Sequence, residues 1–240
     1  MSNFFSVDSG LYKFMSRLFD MVKLNAMWIL CSIPIVTMGA ATTAAFSITL
    51  KMVDDEEGYI AGPFLKSFKQ NLKKGSLIGI IQLVAMYAIY LDFQFYGATV
   101  KTGGSGTLFL IIGFIAMFMT VMHCLYAYAL LARYENTVIN TLRNSYSIAI
   151  KYLPKTIFLV VTLLVEYAIF FWIHPTLWFF GFILGPACFI LTISGFARQF
   201  FRNIERENTL QEEEGKSKLA AERNNAWKEA FGVDSKKEEK

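Results

Sequence analysis

The chain has 240 residues, 55% of them apolar and only 18% charged, against roughly 25% charged in ordinary soluble domains. Net charge is +4, and phenylalanine alone supplies 23 residues. This balance excludes a soluble globular domain, and three cysteines without CxxC spacing exclude a disulfide framework or zinc ribbon. The expected fold is all-α, a polytopic integral membrane protein of about six membrane helices with a Pro/Gly-broken first hairpin. Residues 1–200 are expected to form the membrane domain and 201–240 a charged cytoplasmic tail.

Over residues 1–17, Leu11, Phe14 and Met15 recur at helical spacing, continued by Leu18 and Val22, with Lys13 and Arg17 elsewhere on the wheel. This stretch reads as an amphipathic helix in the membrane interface. The alternative, the first turns of a long membrane helix, stays open. The first twenty residues carry Asp8 and Asp20 and no apolar core with a small-residue cleavage site. The first membrane segment is therefore expected to act as its own insertion signal.

Apolar runs follow at roughly 18–35, 37–53, 75–97, 107–132, 156–174 and 176–197. About 20 residues cover the hydrocarbon core, so the last four are long enough to span. The first two are shorter, and Pro34 and Gly39 lie where they join. They could be two short crossings, a re-entrant hairpin or one kinked helix. Of the 23 Lys and Arg residues, all but Lys101 fall on connections that alternate to one side. The positive-inside rule puts that side in the cytoplasm, with both termini. Both flanks of Pro34 then lie inside, which favours a hairpin or re-entrant form over a kinked helix.

Aromatic residues agree with this placement. Tyr87, Tyr90 and Tyr96 crowd one end of the third run, and Trp172 and Trp178 flank the turn at His174. They read as interfacial belts. The basic segments 64–75 and 142–154 look alike, and each precedes a span, as in a weak parallel repeat. In the tail, Leu219, Ala226, Trp227, Ala230 and Phe231 share one face of a short amphipathic helix, a candidate for partner docking at Trp227 and Phe231.

Ionisable and polar residues at membrane depth are costly and become the first candidates for function. They are Glu166, His123 and Asn25. A His123–Glu166 pair could carry protons or bind a polar solute, while the plainer reading is that each fastens helices. Asp92 reads as snorkelling to the interface. Candidate helix-packing residues are Pro34, Gly39 and Ala40, with Gly181 and Gly185 as a GxxxG step. Cys31, Cys124 and Cys188 lie in apolar runs and read as buried thiols.

The sequence carries no Walker A, HExxH, GxSxG or dinucleotide GxGxxG pattern. The expectation is therefore no enzyme, no catalytic residue and no cofactor. With His123 and His174 the only histidines, no His-rich metal site is expected. The basic connections abut spans and match lipid headgroups, so no nucleic-acid partner is expected.

Residues 25–45 combine N-x-x-W at Asn25 and Trp28 with CSIPIVTMGAATTA at 31–44. Glu56-Glu57-Gly58-Tyr59, then Phe64 and SFKQN at 67–71, extend the pattern. This closely resembles the YesL family of bacterial membrane proteins, which carry a domain of unknown function. The resemblance covers about residues 3–200 and is strongest before residue 75. It implies a polytopic protein encoded beside carbohydrate ABC importers and polysaccharide-degrading enzymes in Gram-positive bacteria. It implies an accessory role in sugar import, beside the permease subunits and ATPase, with no catalytic residues to carry over. A self-contained transporter or channel for small solutes is the alternative.

Overall fold

A computed structural model describes residues 10–56 and 58–230. The order of elements is α1 (Gly10–Ser32), a 3-10 turn (Ile35–Thr37), α2 (Met38–Val53), α3 (Ala61–Lys101), α4 (Thr107–Arg133), α5 (Val138–Lys151), α6 (Leu153–Phe171) and α7 (Pro175–Ala230). Among the described residues, five helical stretches are long and apolar enough to cross a membrane: Ile35–Val53, Ala61–Lys101, Thr107–Arg133, Leu153–Phe171 and Pro175–Trp227. The sixth expected run, 18–35, lies mostly in α1, where Asp20 and Lys23 interrupt the apolar sequence.

Proline placement explains three of the helix starts. Pro63, Pro154 and Pro175 all sit in first turns, where the missing N–H would have had no helical partner anyway. Pro34 restricts Ile33 to extended backbone, and α1 stops at Ser32 just before it. Only Pro186 lies inside a helix. Gly103, in the turn after α3, adopts φ 79°, a left-handed conformation that glycine takes without strain.

The chain divides into two compact units, Met1–Arg198 and Gln199–Lys240. In the first, the amphipathic stretch from Gly10 and the run from Leu18 form one unbroken α1. Residues 1–9 lie outside the described residues. The Pro34 turn then reverses the chain, and Arg17 at the foot of α1 pairs with Asp55 just after α2. The indole N–H of Trp28 donates to Thr42 Oγ1 at 3.1 Å and ties the two arms together. The segment is thus a helical hairpin with adjoining ends, and not a single kinked helix.

Helix α2 is the centre of this unit. It packs on α1, α3 and α4, and ten of its sixteen residues are buried, mostly Ala, Gly and Thr. The buried residues of α3 are Phe64, Gly75 and Ile78, all in its first half. Those of α4 concentrate near its end, at Met122, His123, Leu125 and Tyr126 onward. The remaining halves expose Val84, Tyr87, Ile112 and Phe114, the apolar surface a bilayer accepts. Hydrogen bonds between side chains fasten the helices: Thr49 to Ser194 at 2.6 Å and Tyr126 to Thr156 at 3.1 Å. Asp54 pairs with Arg198 at 2.7 Å, both mostly buried.

The two similar basic segments fold differently. Residues 64–75 lie inside the long α3, whereas 142–154 is broken between α5 and α6 at Tyr152. In the second unit the helix continues through Gly215, so the tail's amphipathic segment belongs to α7. Trp227 is exposed, and Phe231 lies outside the described residues.

Candidate functional site

The tightest backbone approach in the hairpin is made by Gly39. A Cβ added there would fall 2.1 Å from the Gly75 carbonyl oxygen and 3.0 Å from the Gly79 nitrogen. Reciprocally, a Cβ at Gly75 would stand 2.8 Å from Ala40 Cα. Helices α2 and α3 therefore cross backbone to backbone, with Gly39 and Ala40 lying on a Gly75-x-x-x-Gly79 step. Sequence reading singled out Gly39 and Ala40 but missed Gly75 and Gly79. The available signal was the GxxxG spacing itself.

The second expected step behaves differently. A Cβ at Gly181 would meet Phe171 at 3.0 Å and Phe170 at 3.2 Å, so Gly181 seats the end of α6. At Gly185 the nearest contact is Phe189 of its own helix, at 3.8 Å.

Beside the α2–α3 crossing lies a cavity of about 380 Å³, walled by Trp28, Met38, Gln82, Cys124, Tyr128 and Pro186. Several of its polar groups are already partnered within the wall. The Tyr128 hydroxyl donates to Gln82 Oε1 at 2.6 Å, and Thr42, which accepts from Trp28, donates its own hydroxyl to Met38 O at 2.8 Å. Apart from the Gln82 amide nitrogen and the Cys124 thiol, what remains is an apolar and aromatic surface with room for a small ligand.

Asn25 has a specific structural partner. It is buried, and its amide donates to Phe182 O at 2.9 Å and Ile183 O at 2.8 Å. Pro186 cannot donate to the carbonyl four residues before it, which is Phe182. Asn25 supplies the proton that Pro186 lacks, and it joins α1 to α7 in doing so.

Glu166 and His123 are not joined to each other. Thr192 on α7 donates its hydroxyl to Glu166 Oε2 at 3.1 Å. His123 is buried, with no hydrogen-bond partner at either ring nitrogen. Its ring lies 6.5 Å from that of Tyr128 and 6.3 Å from that of Tyr146. Burial raises the pKa of the Tyr146 phenol on α5. Asp92 does not reach outward: its Oδ2 is buried where a Cβ on Gly113 would fall 2.5 Å away. Among the described residues, no three His, Cys, Asp or Glu side chains are grouped to hold a metal ion.

Long apolar helices, a buried glycine crossing and hydrogen bonds between helices define a multi-pass α-helical membrane protein. Within that class, residues 21–93 match the family model described as "Protein of unknown function, DUF624". This is the family to which the YesL resemblance refers. The match begins in α1, covers the hairpin and ends within α3, so it contains the whole Gly39–Gly75–Gly79 crossing. No curated protein and no solved structure matches the chain.

Proposed function

We propose that this protein is a non-enzymatic accessory membrane subunit acting beside a carbohydrate ABC importer. The observation that carries the reading is the use of Glu166. Its carboxylate accepts from Thr192 and fastens α6 to α7, the role expected of a fixed scaffold. A conducting protein would spend such a group on a solute path. The class of partner comes from the YesL resemblance. Gly39 and Ala40 are occupied by α3, so a permease would meet exposed faces such as Ile111, Ile112 and Ile115 of α4. The charge distribution supports a cell-membrane location with both termini cytoplasmic, where Trp227 and Phe231 would face the ATPase.

The test is affinity purification from native membranes in mild detergent, with co-purifying proteins identified by mass. Stoichiometric recovery of permease subunits is expected. Recovery of the protein alone, stable and monodisperse, would overturn the proposal and favour a self-contained transporter of small solutes. The cavity of about 380 Å³ beside the hairpin favours that second reading. Its test is flux through reconstituted vesicles, abolished by Glu166→Gln if the protein transports.

A further inference from the structure

We infer that the α1–α2 hairpin is re-entrant, and that its tip rests among lipid acyl chains in the bilayer interior. The hairpin enters and leaves on one side, because Arg17 at its foot pairs with Asp55 at its end. Its tip residues Ile35 and Met38 share a cavity wall with Met86, Cys124 and Pro186. Met86 and Pro186 lie at the middle of the apolar runs 75–97 and 176–197, and Cys124 lies well inside 107–132. The tip therefore sits at the depth of the span centres. The α3 register agrees. Gly39 is held at Gly75 and Gly79, and α3 continues from there to Lys101. That continuation rises about 33 Å at roughly 1.5 Å per residue, so α3 reaches the far side of the bilayer well beyond the tip.

The chemistry of the tip fits lipid and not water. Ile33 is 70% exposed and Val36 55%, with Leu30 and Ile35 also exposed beside them. A turn in hydrocarbon must satisfy its own polar groups. Thr37 does this: its hydroxyl lies within hydrogen-bond distance of Cys31 O at 2.7 Å and Pro34 O at 2.8 Å, and its N–H donates to Pro34 O. Pro34 has no N–H to satisfy. The exception is the Ser32 hydroxyl, which is buried without a partner. This apolar patch is continuous with the lipid-facing surface of α3, because exposed Leu83 and Met86 line the same cavity as Ile35 and Met38. A consequence is that the cavity is reached from the bilayer, by apolar or amphipathic molecules.

The test is collision spectroscopy of a nitroxide on Val36→Cys in the full-length protein. Cys31, Cys124 and Cys188 are replaced by Ala, the label is attached in detergent, and the protein is reconstituted into phosphatidylethanolamine–phosphatidylglycerol vesicles. Ile33→Cys serves as a second site should Val36→Cys disturb folding, and Ser105→Cys, in the exposed turn after α3, is the water-facing control. At 36 or 33 the nitroxide is expected to collide several-fold more with oxygen than with a water-soluble nickel chelate, and the order reverses at 105. Nickel accessibility at 36 or 33 comparable to that at 105, from either side of the vesicle, would overturn the inference.

Discussion

Alanine in place of glycine should have opposite effects at two positions of the membrane unit. At Gly39 the new methyl would arrive 2.1 Å from the Gly75 carbonyl oxygen, whereas ordinary contact begins near roughly 3.5 Å. The obstacle is backbone on both sides, so no rotamer change relieves it. Helices α2 and α3 must part by more than about 1 Å, which loosens the most buried helix of the unit. Overpacking of this kind costs about 1–3 kcal/mol, set against a gain of about 1 kcal/mol in helix propensity. A backbone obstacle puts the cost at or above the top of that range, so a net loss of about 2 kcal/mol is expected. At Gly97 of α3, nothing lies within 4 Å of an added Cβ, and only the propensity gain remains. Thermal unfolding in detergent, followed by tryptophan fluorescence, reads both variants. At roughly 2–4 °C per kcal/mol for a chain of this size, Gly39→Ala should melt several degrees below the parent, while Gly97→Ala should match or exceed it. If Gly39→Ala melts with the parent, the backbone crossing is not what holds the hairpin.

Three further outcomes follow from the polar contacts. Asn25→Leu strips the Phe182 carbonyl of its donor and should cost about 1–3 kcal/mol. Adding Pro186→Ala, which restores a helical N–H to that carbonyl, should recover much of the lost melting temperature. Asp54→Ala should destabilise by about 2 kcal/mol or more, because it leaves Arg198 mostly buried beside an emptied position. Asp55→Ala breaks a pair with Arg17 that is largely exposed, and should cost under about 1 kcal/mol; equal losses for the two aspartates would refute the distinction. Glu166→Gln keeps an acceptor for Thr192, so melting should change little and partner recovery should persist under the subunit reading.

The class of the protein and its helices were legible in the sequence, because a bilayer admits few solutions. Runs of about 20 apolar residues must become helices whose backbone satisfies itself. Prolines mark where three of those helices start, and the small residues from Gly39 onward announce a close approach. The chain reversal at Pro34 was legible too, from charge on both its flanks. The sequence did not show what the small residues approach. The GxxxG steps at 75–79 and 181–185 look equivalent on paper, yet only Gly75 and Gly79 receive another helix backbone. Nor could it show that Glu166 takes Thr192 as its partner while His123 faces Tyr128 and Tyr146. Periodicity tells which residues share a face of one helix, but the neighbour of that face depends on how every helix is rotated and crossed. In a membrane, lipid and protein surfaces are equally apolar, so hydrophobicity does not point the faces inward. Backbone fit and a few hydrogen bonds select the arrangement, and these exist only in the assembled tertiary structure.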